Sequence, residues 1–433
     1  MLKRGDGEKG FREADLVIEE EFSTPPQHHA TVQTRTCVAY WDGEKLTVWE
    51  SCQGVWQPKE QLARSLGLHP DQVRVIVRYQ GGGFGSKAGA QRFSHYASKL
   101  SIVTGRPVRL ELTRAEEFVS HPRRQVGSFY IKTGVKRDGT LTAMFGRAIF
   151  NIGSGGLFSA FGKEFMGIGI GKAFYLYKCP NAYFEQYGVY THTQYTGPMR
   201  SPQEILAVFA VESHMDRIAA ELKMDPYKFR LKNYSEYGDQ EKKIPYSRKS
   251  LDKCMELVTQ AIGWERRNEL RKLNEGSTRK NGIGMADFIY YGVGLYPYHA
   301  EAEVFIKSDG SIILHAGIVD IGTGSATILP MIAAEELGVN LEDVNIIYGD
   351  TESTRYAPAS NAARVTAEMG PAVLQAAAEA REKLFARAAQ LLHAKVEDLQ
   401  SKNGVIYAKT EPSRTISFKD TCKTLGPDEI IVG

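Results

Sequence analysis

The sequence predicts an α+β fold built of two related domains of mixed helix and strand. Three observations carry this. Three hairpin signatures mark antiparallel strands. Two long amphipathic stretches mark packed helices. One strand–loop–helix–turn–strand unit occurs twice at matched spacing.

The hairpins centre on Asp42-Gly43, Asp138-Gly139 and Asp309-Gly310. Each places a turn residue and a glycine between β-prone flanks. The first helix is predicted from about Ile205 to Lys223, where Val208, Val211, Met215, Ile218 and Leu222 recur at helical spacing. The second runs from about Pro371 to Ala394, with proline suited to its first turn and Val373, Ala377, Leu384, Ala388 and Leu391 along one side. Both stripes read as core faces.

In the repeated unit, the strand Leu46 to Trp49 leads to Ser51-Cys52-Gln53-Gly54, a helix, and Leu66-Gly67 before the strand around Val73. Ile312 to His315 leads to Asp320-Ile321-Gly322-Thr323-Gly324, a helix, and Leu337-Gly338 before the strand around Val344. Gln53 precedes Leu66 by 13 residues (66 − 53), and Gly324 precedes Leu337 by 13 (337 − 324). Each loop sits at a helix N-terminus, whose partial positive charge favours anions. Two loops facing one shared ligand and a duplicated fold element with no ligand both remain open.

The segment Gly81-Gly82-Gly83-Phe84-Gly85-Ser86-Lys87 follows the apolar run Val73 to Val77 and precedes a helix-like stretch from about Ala88. Glycine permits close approach and positive φ. The spacing fits neither the dinucleotide fingerprint nor the P-loop. On its own the segment reads as a tight turn or as backbone N–H groups facing an anion.

Residues 236 to 282 are polar, and Gly276 to Gly282 resembles a linker. The expected division is a first domain over 1–240, a linker over 241–282 and a second domain over 283–433. The chain has 433 residues, a net charge of +3, and hydrophobic and charged contents of 42 % and 24 %. This balance gives no reason to expect nucleic acid or an anionic membrane. The five cysteines form no C-x-x-C pair, which argues against a disulfide scaffold, a zinc ribbon or an iron–sulfur cluster in this chain. No apolar stretch follows Met1 to Asp6, and no run approaches membrane-spanning length, so a cytoplasmic protein is expected.

Several motifs in order then resemble the molybdenum-binding subunit of the xanthine dehydrogenase and aldehyde oxidoreductase family. Gly5-Asp6 and Ala14 to Glu19 look like its lead-in, Gln53-Gly54 its glutamine loop, and Gly81 to Lys87 its glycine-phenylalanine-glycine loop. Met199-Arg200-Ser201-Pro202-Gln203 with Ala210 to Ser213 matches its arginine loop and helix. Asp320 to Gly324, Ile332 to Gly338 and Gly349-Asp350-Thr351 match its second cofactor domain.

The resemblance implies two molybdopterin-binding domains and a molybdopterin-type cofactor. Its molybdenum is held by the pterin dithiolene, so no protein metal ligands are expected. Catalytic roles fall to Gln53, Phe84, Gly85 and Arg200. Gln53 donates to an oxygen ligand of the metal, Phe84-Gly85 places backbone against its apical face, and Arg200 borders the centre. Gly54, Gly83, Gly322, Thr323, Gly324, Ser325, Ala362, Ala363 and Arg364 line the cofactor; for Arg364 a domain–domain salt bridge is an equal alternative. The mononucleotide and cytosine dinucleotide forms both stay open.

The implied activity is hydroxylation or dehydrogenation of an electron-poor carbon in an aldehyde, N-heterocycle or aromatic small molecule, with water as oxygen source. Reductive dehydroxylation and a non-catalytic cofactor-binding or scaffold role are the alternatives. The family's N-terminal small domain and its glutamate in a G-x-G-E loop are not found; Gly292-Val293-Gly294 is followed by Leu295. A partner chain is therefore expected to supply both, with 2Fe-2S and FAD carried by further subunits. The position of the purine-binding glutamate falls near Ala88, and Thr323 replaces a glutamine found in some members.

Overall fold

A computed structural model describes residues 2–154, 169–246, 249–290 and 299–433. Gly292 to Leu295 lie outside the described residues. The chain forms two compact units, Met1–His28 with Pro122–Tyr291, and His29–His121 with Gly292–Gly433. This partition differs from the chain-order division at residues 240 and 283, because both copies of the repeated unit fall in one unit.

In the first unit a five-stranded sheet runs in the order Leu2–Arg4, Asn181–Tyr190, Leu141–Gly153, Val126–Val135, Leu16–Thr24. The Asp138-Gly139 turn joins its two central antiparallel strands as the sequence predicts. The inward residues Phe129, Ile131 and Met144 pack with Val211, Met215 and Ile218 of the helix Glu204–Glu221. Arg230, fully buried, binds Glu212 at 2.8 Å and Asp216 at 2.6 Å from the following helix Pro226–Lys232. The stretch 241–282 is more than a linker. It holds the helices Leu251–Ile262, ended by Gly263 at φ 68°, and Arg267–Leu273. Its polar composition belongs to exposed faces, while Met255 and Trp264 are buried.

The second unit contains two four-stranded sheets of one topology. Their orders are Val73–Ile76, Leu46–Glu50, Thr36–Trp41, Val108–Glu111 and Val344–Tyr348, Ile312–Ala316, Ala302–Lys307, Ile430–Val432. In each, an antiparallel hairpin is followed by a parallel crossover through a helix, Trp56–Leu66 or Ser325–Leu337. Each crossover helix stops at a glycine with φ 70°, Gly67 or Gly338. A second helix follows in each copy: Arg92–Thr104 leads straight to the antiparallel outer strand, whereas after Gly370–Leu391 the chain first forms a separate three-stranded sheet, Leu399–Lys402, Val405–Ala408 and Glu411–Ser417.

The copies join through their backbones. Val77 N–H donates to Gly349 O at 2.7 Å, and Thr351 N–H to Val75 O at 3.1 Å. Arg74 forks onto Asp350 at 3.0 and 2.7 Å. A Cβ on Gly349, already at φ 68°, would lie 2.1 Å from Val77 O, so the junction requires glycine. These bonds place the two repeats in one unit. A surface cleft of about 960 Å³ between Glu336, Arg381 and Ser401 lies apart from every predicted site residue. Among the described residues no helix is long and apolar enough to cross a membrane.

Candidate functional site

Gln53 follows the strand Leu46–Glu50 and stands just before the helix Trp56–Leu66. It is 1 % exposed. Its Oε1 accepts from Gly85 N at 2.8 Å and Lys87 N at 3.4 Å. Its Nε2 donates to Ser360 O at 2.8 Å, and its backbone pairs with Lys87 O and Ser360 N. A carboxamide has two N–H donors, so one is left after Ser360. The structure thus brings the glutamine loop, the glycine loop and the segment before Asn361 together.

Gly83 and Gly54 are spacing devices. A Cβ on Gly83 would meet Gln53 Oε1 at 2.5 Å, and one on Gly54 would meet Ala359 Cα at 2.9 Å. Gly85 adopts φ 100° and Phe84 φ 51°. The Phe84 ring is 44 % exposed. The loop extends further than the sequence indicates, because the next helix begins at Arg92 rather than near Ala88.

Nine non-glycine residues take positive φ among the described residues. Four of them, Phe84, Ser201, Ala362 and Ala363, lie in the predicted site loops. Left-handed backbone costs a non-glycine residue roughly 1–2 kcal/mol, and such strain clusters where function over-determines the geometry.

The loop 320–325 departs from expectation. Asp320 Oδ1 accepts from Gly322, Thr323 and Gly324 N–H at 2.9, 3.0 and 3.3 Å, and Oδ2 from Ala326 N–H at 3.0 Å. The backbone donors assigned to the cofactor are therefore engaged by the chain's own carboxylate. What remains is the exposed Thr323 and the buried Ser325 Oγ, which has no partner in the structure. Arg364 forks onto Glu368 through bonds of 2.9–3.1 Å, both side chains being buried. The contact seen is a local pair within one helical turn, not the domain–domain salt bridge of the alternative reading.

Arg200 lies in the other unit, exposed, beside Ser201 at φ 57°. The buried Arg124 holds its loop, donating to Arg200 O and Ser201 O at 2.8 Å. Burial pushes the Arg124 guanidinium down to about 10, against the opposing charge of Glu204.

Behind the glycine loop lie groups the sequence did not single out. Lys87 is fully buried and donates to Gln33 O at 2.9 Å and Gln33 Oε1 at 3.3 Å. Burial, then the Arg35 charge, pushes its ammonium down to about 8. Glu50 accepts from Gln91 N at 3.0 Å and from Ser94 Oγ. Burial raises its carboxyl to about 7 despite these bonds. No group of His, Cys, Asp or Glu among the described residues could hold a metal ion.

Two family models described as molybdopterin cofactor-binding domains match residues 1–234 and 257–429. The chain belongs to the family of molybdopterin-binding subunits of xanthine dehydrogenase and aldehyde oxidoreductase. It is 31 % identical over 430 residues to the xanthine dehydrogenase molybdenum-binding subunit of Escherichia coli O157:H7, covering 97 % of this chain and 56 % of the relative. It is 27 % identical over 347 residues to the aldehyde oxidoreductase molybdenum-binding subunit PaoC of Escherichia coli strain K12, covering 80 % and 46 %. The molybdopterin-binding chain thus spans about half the length of these curated relatives. In fold it is similar to quinoline 2-oxidoreductase from Pseudomonas putida 86, with a TM-score of 0.88 and 23 % identity over 99 % of this chain and 58 % of that one. The aldehyde oxidoreductase of Desulfovibrio gigas gives a TM-score of 0.73 and 25 % identity over 89 % and 42 %.

Proposed function

We propose that this chain is the cofactor-holding part of a molybdenum hydroxylase or dehydrogenase that oxidises an electron-poor carbon with water as oxygen source. The observation that carries this is the buried Gln53 carboxamide, aimed by Gly85 N–H and Ser360 O with one N–H left to give. The residues fit a molybdopterin-type cofactor. Gln53, Gly83 and Gly85 provide a donor and bare backbone beside Phe84, while Ser325 offers a buried hydroxyl without a partner in the structure. When bound, such a cofactor supplies the redox chemistry.

The chain's own residues bind and orient. Gln53 directs a hydrogen bond toward the cofactor face, Thr323 and Ser325 offer hydroxyls, and Arg200 offers a cation. The internal pairs Asp320 with 322–326 and Arg364 with Glu368 hold their loops in shape. Asp320 and Glu368 are therefore committed, and Glu50 faces Ser94 behind the loop. We assign the proton-accepting carboxylate, and the small N-terminal domain, to sequence outside these residues. Iron–sulfur and FAD subunits would take the electrons.

The test is molybdenum and pterin content of the native complex, with the nucleotide form read from the mass of the released cofactor. Gln53→Ala and Arg200→Ala should each lower turnover with an artificial acceptor at least about 100-fold. A native complex free of molybdenum and pterin refutes the reading and favours a scaffold role. Full activity from the isolated chain refutes the shared site.

A further inference from the structure

We propose that Arg35 is a positioning residue for Gln53, clamping the Gly81–Lys87 loop from its buried side and so setting the direction of the Gln53 carboxamide. The inference rests on the cofactor-holding reading of that carboxamide. Arg35 is 1 % exposed and immediately precedes the strand Thr36–Trp41. Its guanidinium addresses three separate segments. Nε donates to Gln91 Oε1 at 2.9 Å, Nη1 to Glu117 Oε1 at 2.5 Å, and Nη2 to Ser86 O at 2.5 Å.

Ser86 is the centre of the matter. The residue before it, Gly85, gives its N–H to Gln53 Oε1. The residue after it, Lys87, accepts the Gln53 backbone N–H at 2.8 Å. The carbonyl that Arg35 holds thus lies between the two contacts that orient Gln53.

The other ends of the fork are fixed. Gln91 N–H is bound by Glu50 at 3.0 Å, and Glu117, fully buried, accepts the Arg35 backbone N–H at 3.0 Å through its second oxygen. Burial alone raises the Glu117 carboxyl, but the His121 bond, the Arg35 N–H and the Arg35 charge outweigh it and hold it down at about 2. Glu117 therefore remains an anion facing the fork. A planar guanidinium serves three acceptors at fixed angles; an ammonium on a flexible stem does not reproduce that geometry.

The experiment follows the Gln53 side-chain N–H signals of the cofactor-free chain by NMR with isotope-labelled glutamine. They are assigned by their loss in Gln53→Glu. In Arg35→Lys, hydrogen-exchange protection of the Gln53 carboxamide should fall at least about tenfold while backbone protection across Thr36–Trp41 is kept. Unchanged Gln53 protection overturns the proposal. A parallel fall of both overturns it too, since Arg35 would then serve the fold as a whole. If Arg35→Lys fails to fold, Glu117→Gln replaces it, and a smaller loss at Gln53 in the same direction is expected; no loss overturns the proposal. Pterin content of the Arg35→Lys holo-complex is measured separately. Full content with an unprotected Gln53 would remove the cofactor role of Gln53 and leave the role of Arg35 intact.

Discussion

Gly83→Ala tests the packing of the site most directly. An ideal Cβ there lies 2.5 Å from Gln53 Oε1 and 2.7 Å from both Cδ and Cγ. Relief needs the carboxamide to retreat by about 1 Å. It is held at both ends, by Gly85 N–H at 2.8 Å and Ser360 O at 2.8 Å. Losing two buried hydrogen bonds costs about 1 kcal/mol each, and a donor left unpaired adds about 1–3 kcal/mol. Reduced freedom of the unfolded chain returns about 0.4–1 kcal/mol. The net loss is therefore about 2–4 kcal/mol. Urea unfolding followed by tryptophan fluorescence reads this unit well, because Trp41, Trp49 and Trp56 all lie in it. With a slope of about 2 kcal/mol/M, the midpoint should fall by about 1–2 M. Gly67→Ala, at φ 70° with open space around it, should cost only about 1–2 kcal/mol. The decisive comparison is Gly83→Ala made in a Gln53→Ala background, where the obstructing atoms are gone. The two changes must then be non-additive by at least about 1 kcal/mol. Additive losses, or a Gly83→Ala midpoint equal to wild type, refute the steric account.

Glu50 should make the same unit pH-sensitive. Its folded-state value, about 7, is raised above the ordinary 4.5, so the unfolded chain binds fewer protons between those values. Stability should fall as pH rises through that window, by up to about 3 kcal/mol, and Glu50→Gln should flatten the difference between urea midpoints at the two ends. Glu368→Ala removes a bidentate carboxylate from Arg364 and should cost about 1.5–3 kcal/mol, read by the same denaturation. Ala363→Gly relieves a backbone at φ 57° and should raise the thermal midpoint, gaining up to about 1 kcal/mol; no gain would mean the loop stores no strain.

The sequence made the hairpins legible because Asp-Gly turns and alternating flanks are local signals. Asp42 shows why: its carboxylate accepts from Glu44 and Lys45 N–H within the turn itself. The equal spacing to Leu66 and Leu337 was legible for a similar reason, since the crossover helix ends on a Leu-Gly pair in both copies. The joining of the copies was not, because it depends on backbone bonds such as Val77 to Gly349 that carry no side-chain signature. Polar residues 241–282 misled because exposed helical faces and linkers share a composition. The Arg364–Glu368 pair stood at helical spacing and was open to view. Arg35 was not, since a charged residue at the edge of a strand reads as solvated surface until its three acceptors are seen.

The junction of the two copies also governs when the protein can fold. Val77 and Gly349 are 272 residues apart (349 − 77). At roughly 5–20 residues per second, the ribosome needs on the order of 15–50 s to deliver the second partner. Throughout that interval the strand Val73–Ile76 has emerged while the backbone acceptor of Val77 has not yet been made. The nascent first copy can therefore complete this junction only after Gly349 has been made. Its maturation rate should follow translation speed through residues 122–291, a stretch assigned to the other unit.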